Sequence, residues 1–199
     1  MSRAREFNED VAVQRAMRLF WKKGYEAATL PDLIKVMRLS HGSFYHAFKT
    51  KRSILVRALH QYMNSGMDGM LTPLGADNAG RAEIEKTFAN LVDYTSGPKG
   101  RQGCLVGNTM TDLAMRDPEL RETLLLARAR TEDALTSAVE RGQADGTITS
   151  SLGSRALGRF LLNTISGLMV SCKTDPGRPV LEDIANAALC VLDLPAPRR

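Results

Sequence analysis

Cysteines are scarce in this sequence, and their spacing excludes two kinds of stabilising site. The 199 residues contain three of them, Cys104, Cys172 and Cys190. Three widely separated thiols make neither a disulfide framework nor a zinc knuckle, so we expect a protein of the reducing cytoplasm. No apolar run approaches the length of a membrane span, and no apolar segment follows the polar start of the chain. We therefore expect neither membrane insertion nor secretion.

Signatures of enzyme chemistry are missing as well. The sequence has no H-E-x-x-H motif, no nucleophile elbow and no paired carboxylates beside a plausible base. The glycine-rich segment 96–103 is not a P-loop, because no strand pattern precedes it and no Gly-Lys-Ser/Thr occurs in it. His41, His46 and His60 are expected at the surface rather than around a metal ion. We expect no catalytic residues, no metal and no cofactor.

Strict alternation of apolar and polar residues, which marks a half-buried strand, is also absent. The long segments instead repeat their apolar residues with a helical period, which predicts an all-α protein of about nine helices. We expect these helices at about 8–23, from Thr29, from Ser40, at 51–70, from about 81, and at 104–115, 117–142, 154–173 and 180–192.

Charge is distributed unevenly along the chain. Residues 1–60 hold 12 Lys and Arg against 5 Asp and Glu, a net charge of +7, whereas residues 61–199 hold 15 against 17, a net charge of −2. All three histidines also lie in the first sixty residues. A basic head on a nearly neutral body indicates a polyanionic partner at one end of the molecule.

Residues 40–52 have the pattern of a recognition helix in a helix-turn-helix, followed by the start of the next helix. Ser40 is a good N-cap, and Phe44 and Phe48, four residues apart, can share a buried face. The opposite face is cationic or hydrogen-bonding and carries no carboxylate, which suits a phosphate backbone. Taken alone, the stretch fits a short solvated surface helix equally well.

The flanking sequence favours the helix-turn-helix. Thr29 with Asp32 resembles a capping box that opens the preceding helix, and Leu39 can be the apolar plug between the two helices. Lys51 and Arg52 follow at the first turn of the fourth helix, where two cations oppose the helix dipole. An anionic partner would relieve that local misfit.

These residues resemble the TetR/AcrR family of one-component transcriptional repressors. The resemblance covers about residues 8–60 and rests on elements in the right order and at the right distances: 16–25, Thr29, 32–33, 39–40, 42–48 and 51–55. A weaker likeness of 103–108 and 117–119 points to one AcrR-like subgroup. The family implies an all-helical homodimer whose C-terminal domains hold an effector pocket.

The resemblance also implies which residues contact DNA, namely Thr29, Ser43, Tyr45, His46 and Lys51. We add four neighbours, so that the predicted set is Thr29, Arg38, His41, Gly42, Ser43, Tyr45, His46, Lys49 and Lys51. Arg38 departs from the family, which usually has glycine in this turn. Two alternatives follow: either Arg38 keeps a positive φ and carries strain on the order of 1 kcal/mol, or the turn has a different shape.

We predict two domains. Residues 1–52 would form the helix-turn-helix domain, with helix 51–70 connecting it to an effector-binding and dimerisation domain at 53–194, and 195–199 would be a disordered tail. Wide apolar faces on helices 154–173 and 180–192 predict that two copies pair through them. Candidate pocket residues are Met67, Phe88, Tyr94, Cys104, Asn108, Met110, Phe160 and Met169, although plain core packing fits each of them.

The function that follows is a repressor that a small-molecule effector releases from a palindromic operator on double-stranded DNA. One alternative is a sensor of oxidants or electrophiles that acts through Cys104, a thiol at a helix N-terminus, where the dipole favours thiolate. Arg101 could add positive potential there. Another is a non-specific DNA binder, which would leave a body of about 130 residues unexplained and would lose its preference between sequences at raised salt.

Overall fold

The computed structural model describes residues 7–64 and 72–193, and all regular structure in these two ranges is helical. The prediction of an all-α fold with about nine helices is confirmed. The described α-helices are α1 (Glu9–Lys23), α2 (Leu30–Met37), α3 (His41–Ala47), α4 (Lys51–Tyr62), α5 (Arg81–Ser96), α6 (Leu105–Leu113), α7 (Pro118–Ala144), α8 (Ser154–Ser171) and α9 (Arg178–Cys190). Residues 65–70 of the predicted fourth helix, the candidate Met67, and the tail 195–199 lie outside the described residues.

The helix boundaries follow from local chemistry. A side-chain oxygen accepts a hydrogen bond from the backbone N–H three residues later at five of the described helix starts, namely Asn8, Thr29, Ser40, Thr50 and Asp117. Gly24 ends α1 with a φ of 79°, a conformation that glycine adopts without steric cost.

The first four helices share a core that continues into the body. Phe20, Phe44 and Phe48 fill its centre, and Leu113 and Leu124 join it from α6 and α7. The basic head is therefore packed on α6 and α7 rather than tethered by α4 alone. The predicted boundary between residues 52 and 53 stays a prediction.

The rest of the body is a second core among α5, α7, α8 and α9. Helices α7 and α8 approach closely at Gly158, where an added Cβ would lie 2.5 Å from Thr136 Oγ1 and 3.1 Å from its backbone nitrogen. In the part of the chain that the structure describes, no helix combines the length and the apolar character that crossing a membrane requires.

Candidate nucleic-acid interface and inner cavity

The turn between α2 and α3 closes with a Schellman motif. The backbone N–H of Leu39 donates to Ile34 O over 3.2 Å, and that of Arg38 donates to Lys35 O over 3.2 Å. Arg38 adopts φ 60° and ψ 42°, the left-handed conformation that this motif requires. The turn thus has the geometry that is usual when glycine occupies this position. Because the residue here is Arg38, its left-handed backbone conformation is strained. The Arg38 side chain is exposed.

Helix α3 has one buried and one open face. The Phe44 and Phe48 rings pack inward with centroids 6.0 Å apart, and both side chains are buried. Tyr45, with 52% of its surface exposed, and His46 lie on the open face. Because the two phenylalanines fix the rotation of α3 about its axis, the open face points away from the head.

The start of α3 combines hydroxyl groups with an unobstructed glycine. Ser40 Oγ accepts from the Ser43 backbone N–H over 3.1 Å and lies 2.9 Å from Ser43 Oγ. A Cβ added to Gly42 would meet only Ser40 Oγ, at 4.0 Å, and Gly42 has no positive φ. Neither local packing nor backbone conformation requires glycine here, so its small size leaves room for something outside the chain.

The remaining predicted DNA contacts lie around this face. Thr29 caps α2, and His41 and Lys49 are exposed at the two ends of α3. Lys51 is half-buried: its Nζ donates to Glu26 O over 3.3 Å and lies 4.3 Å from the centroid of the Tyr25 ring. The loop between α1 and α2 therefore holds the Lys51 ammonium in place.

Ion pairs neutralise acids of the head. Asp32 Oδ2 lies 2.9 Å from Lys23 Nζ, and hydrogen bonds from Lys23 and Thr29 lower the pKa of Asp32. Glu9 Oε1 lies 2.7 Å from Arg57 Nη1. Each pair also occupies a cation of the head, so the net charge of +7 over residues 1–60 is unchanged and comes from the cations that remain.

A charged clamp joins the head to the body. Arg52 Nε and Nη2 donate to the two carboxylate oxygens of Asp117, over 2.5 and 2.9 Å, and Nη2 also donates to Glu119 Oε2 over 2.8 Å. The hydrogen bond from Arg52 is the largest cause that lowers the pKa of Asp117 to about 2. A partial signal for this clamp is present in the sequence: Arg52 opposes the dipole of α4, whereas Asp117 and Glu119 suit the first turn of α7.

We expect Asp117→Asn to destabilise the protein by about 1 kcal/mol, because asparagine keeps the N-cap and removes the ion pair. This figure allows for solvent screening, since the side chains of Arg52 and Asp117 are 39% and 23% exposed. Because folding lowers the pKa of Asp117, the ion pair stabilises the folded protein above about pH 3.8. This stabilisation is lost as the pH falls towards about 2.

Urea unfolding of both proteins at several pH values measures this difference. It should stay constant from about pH 5 to 8 and vanish towards pH 2. A difference that persists at the lowest pH would contradict the ion pair as its cause. Glu122→Gln provides a control on an exposed acid of the same helix that forms no ion pair among the described residues.

A second contact between head and body involves the only tryptophan. Trp21 Nε1 donates to Gly103 O over 3.0 Å, and the indole meets the Tyr62 ring edge-on with centroids 4.9 Å apart. Gly103 has a φ of 66°, and a Cβ there would lie 2.7 Å from Met169 O. The C-terminal half of α1 is thus tied to the loop before α6 and, through it, to α8.

A cavity of about 620 Å³ lies at this junction. Residues of α1, the loop before α6, and helices α6, α7 and α8 line it, including Trp21, Gly24, Gln102, Val106, Ala127, Leu162 and Ile165. Of the predicted pocket residues, Cys104, Asn108, Met110 and Met169 line this cavity. A molecule bound here would contact both the head and the body.

The other candidates lie elsewhere. Phe88 is fully buried in the second core, and Phe160 is 43% exposed on α8. Tyr94 lies outside the cavity lining but near two thiols: burial chiefly, and then Cys104 and Cys172, raise its pKa to about 12. Within residues 7–64 and 72–193, no group of three or more His, Cys, Asp or Glu side chains is placed to hold a metal ion.

Cys104 is the N-cap of α6. Its Sγ accepts from the Gly107 backbone N–H over 3.5 Å, and the side chain is half-buried between the cavity and the Tyr62 hydroxyl. Burial, and secondarily the Cys104 thiol, raise the pKa of Tyr62 well above 10.0. Arg101, which was expected near this thiol, forms an ion pair with Asp175.

An exposed stripe runs along α8 and α9. Phe160 and Val170 are 43% and 65% exposed on α8, Val180 is 44% exposed on α9, and Gly167 opens onto unoccupied space. The opposite faces of both helices are buried in the second core. This stripe is the surface on which the sequence predicted pairing of two copies.

Comparison with known proteins matches the two parts of the chain separately. Residues 13–58 match the family model described as bacterial regulatory proteins, tetR family, and residues 80–187 match the tetracyclin repressor-like C-terminal domain. The uncharacterized HTH-type transcriptional regulator YezE of Bacillus subtilis is 26% identical over 197 residues, which span 97% of this chain and 100% of that one. The HTH-type transcriptional repressor ComR of Escherichia coli is 26% identical over 188 residues, or 94% of this chain and 90% of that one.

Solved structures give the same result. A cysteine mutant of the TetR family regulator CifR, in complex with 26-bp double-strand operator DNA, is 29% identical with a TM-score of 0.80, over 96% of this chain and 100% of that one. The fold and the open face of α3 thus define a helix-turn-helix transcriptional regulator. The chain belongs to the TetR family, and the resemblance found in residues 8–60 is confirmed.

Proposed function

We propose that this regulator binds a palindromic operator as a homodimer and represses transcription until a small molecule enters the cavity. The observation that carries the proposal is the open face of α3, where exposed donors and the unobstructed Gly42 stand on a head with a net charge of +7 over residues 1–60. The similar CifR mutant structure holds operator DNA, which supports the same role for this helix-turn-helix.

The side chains around α3 divide into two roles. Lys51 and Thr29, at the edges of the face, would contact phosphates and set the position of α3 in the major groove. Ser43, Tyr45 and His46, along the helix, would face base edges and give sequence preference. Two heads related by the dimer axis would then contact two half-sites about one helical turn or slightly more apart.

Release by an effector follows from the position of the cavity. Its wall includes Trp21 of α1, Gly24 just after it and Met169 of α8, so a ligand can bind two arrangements of head and body with different affinities. Only such a difference in affinity can shift the population away from the DNA-binding arrangement. The Trp21–Gly103 hydrogen bond and the Arg52–Asp117 ion pair are the contacts through which this shift would reach α3.

The test compares Lys51→Ala with Ser43→Ala. Loss of Lys51 should weaken binding to operator and scrambled DNA about equally and reduce the salt slope by about one unit per subunit. Ser43→Ala, and to a lesser degree His46→Ala, should change the discrimination between the two DNAs more. Fluorescence anisotropy titrations at several salt concentrations measure both quantities. Equal effects of Lys51→Ala and Ser43→Ala on discrimination would contradict the assignment.

A second candidate function is sensing of oxidants or electrophiles through Cys104. The observation that favours it is the placement of this thiol at the start of α6 and on the cavity wall. A group attached to Sγ would occupy the cavity and replace the Gly107 N–H contact at the N-terminus of α6, close to the head. Non-covalent binding in the same cavity remains the principal proposal.

Alkylation of DNA-bound protein tests this candidate. Cys190 is exposed and would react too, so it is first changed to serine in all proteins. Cys172 can stay, because it is buried and burial raises its pKa, so it should react slowly. Sensing through Cys104 predicts that iodoacetamide releases DNA from the Cys190→Ser protein and leaves the Cys104→Ser, Cys190→Ser protein bound. Similar release from both, or none from either, would remove Cys104 as a sensor.

A further inference from the structure

The walls of the cavity carry an uneven set of charges. Four cationic side chains line it, Lys22, Arg101, Arg128 and Lys173, whereas Asp112 is the one carboxylate among its described lining residues. An excess of one sign around a cleft raises the local concentration of ligands of the opposite sign. The wall therefore favours a negatively charged ligand.

Arg128 is the cation best placed to bind such a ligand. It is half-buried on α7, beside the cavity residues Ala127 and Thr131. Its Nη2 donates to the neutral side-chain oxygen of Asn163 over 2.7 Å, which orients the guanidinium without neutralising it. By contrast, Arg101 already has a carboxylate partner in Asp175.

The other two cations are also uncompensated. Neither Lys22 nor Lys173 forms an ion pair within the two described ranges, and Arg128 forms none there either. Lys173 crosses the cavity edge at Gly103, where an added Cβ would lie 2.8 Å from its Cε. Lys22 and Lys173 thus add positive potential to that supplied by Arg128.

The rest of the lining is largely apolar. Side chains from α1, α6 and α8 contribute hydrocarbon, aromatic or thioether surface, namely Trp21, Val106, Met110, Leu162, Ile165 and Met169. A small inorganic anion would leave this surface without contacts, and a purely apolar molecule would leave the Arg128 guanidinium partly desolvated and without a charged partner.

We propose that the cavity takes an amphipathic organic anion, with an apolar body against the side chains of α1, α6 and α8 and a carboxylate or sulfonate on Arg128. This assignment rests on the proposed function, since it names the chemical class of the effector. A planar guanidinium can bind such a group through two parallel hydrogen bonds, which gives both affinity and a defined orientation of the ligand.

Two fluorescent probes that differ by one group test the proposal on the DNA-free protein. 8-Anilinonaphthalene-1-sulfonate carries an anion on the same aromatic body as neutral N-phenyl-1-naphthylamine. We expect the wild type to bind the sulfonate at least about tenfold more tightly, and Arg128→Gln to weaken the sulfonate at least about fivefold while changing the neutral probe less than about twofold. Arg130→Gln, an exposed arginine on the same helix outside the cavity lining, should change neither affinity.

A cavity-filling variant locates the probes. Ala127→Phe, checked for folding by circular dichroism, should remove binding of both. Equal affinities of the wild type for the two probes would overturn the proposal, as would an unchanged sulfonate affinity in Arg128→Gln or in folded Ala127→Phe. Absence of saturable binding by either probe would also overturn it.

The proposed function is tested separately by operator release. Release by neutral or cationic compounds, with none by apolar carboxylates, would overturn the ligand class and leave effector control standing. Anion-selective binding through Arg128, without release of operator by any bound compound, would instead contradict effector control and leave the ligand class standing.

Discussion

Phe160→Glu is expected to convert the dimer into monomers at micromolar concentration and to weaken operator binding at least about a hundredfold. Phe160 lies 43% exposed on the outer stripe of α8, seven residues or about two helical turns before the open Gly167. In a two-fold interface formed by this stripe, each new carboxylate would be buried and desolvated without a partner of opposite charge from the stripe itself. In a dimer, binding of one head to its half-site holds the second head at a high effective concentration near the other half-site. Separate monomers lack this advantage, which accounts for the loss of about a hundredfold in operator affinity.

Sedimentation velocity measures the oligomeric state, and anisotropy titration measures operator affinity. Met115→Glu is the matched control, because Met115 is 91% exposed away from the α8–α9 stripe. It should remain dimeric and bind DNA normally. A dimeric Phe160→Glu protein would contradict the assignment of the interface, and a monomeric wild type would contradict the dimer itself.

Gly42→Leu is expected to weaken operator binding about a hundredfold while leaving the folded protein at least as stable as the wild type. The Cβ position at Gly42 is open within the chain and its φ is not positive, so leucine fits the folded protein without strain. Leucine also has the higher helix propensity. In the complex, however, its side chain would occupy the space between the start of α3 and the DNA.

Thermal unfolding and operator titration together separate the two effects. Gly42→Ala serves as a graded control, with a smaller loss of affinity because one methyl group intrudes less. Unchanged operator affinity in Gly42→Leu would show that the N-terminus of α3 does not approach DNA. A strong loss of stability in Gly42→Leu would show that the folded protein itself requires glycine at this position.

Local chemistry made the helix-turn-helix predictable from sequence. Thr29, Ser40 and Thr50 begin helices through hydrogen bonds that span three residues, and such short-range signals do not depend on the rest of the fold. Phe44 and Phe48 likewise identify the inner face of α3 by their spacing alone. The left-handed Arg38 was the one point at which the sequence left the local geometry open.

Contacts between distant residues could not be predicted in the same way. Arg52 and Asp117 are 65 positions apart, and Trp21 and Gly103 are 82 positions apart. The sequence showed only that Arg52 lacked a favourable local partner. The acid that pairs with Arg52 is determined by how α4 packs against α7, and the sequence does not show that packing.

The candidate pocket residues show a related limit. Helical periodicity groups Phe88, Phe160 and Met169 on apolar faces, but it does not show what each face meets. In the structure Phe88 lies in the core, Phe160 at the surface and Met169 on the cavity wall. The charges of the cavity can be interpreted only from the structure, in which α1, α7 and the turn after α8 place Lys22, Arg128 and Lys173 around one space.

Selection of binding sites from a random library of duplex DNA, carried out with the 199-residue chain at raised salt, tests the central claim most directly. The account predicts enrichment of one inverted repeat whose half-sites lie about one helical turn or slightly more apart. It also predicts that the Tyr45→Ala protein loses that preference while retaining weak, salt-sensitive binding to any duplex. Recovery of no preferred sequence from the wild type, or of a single asymmetric site, would contradict it.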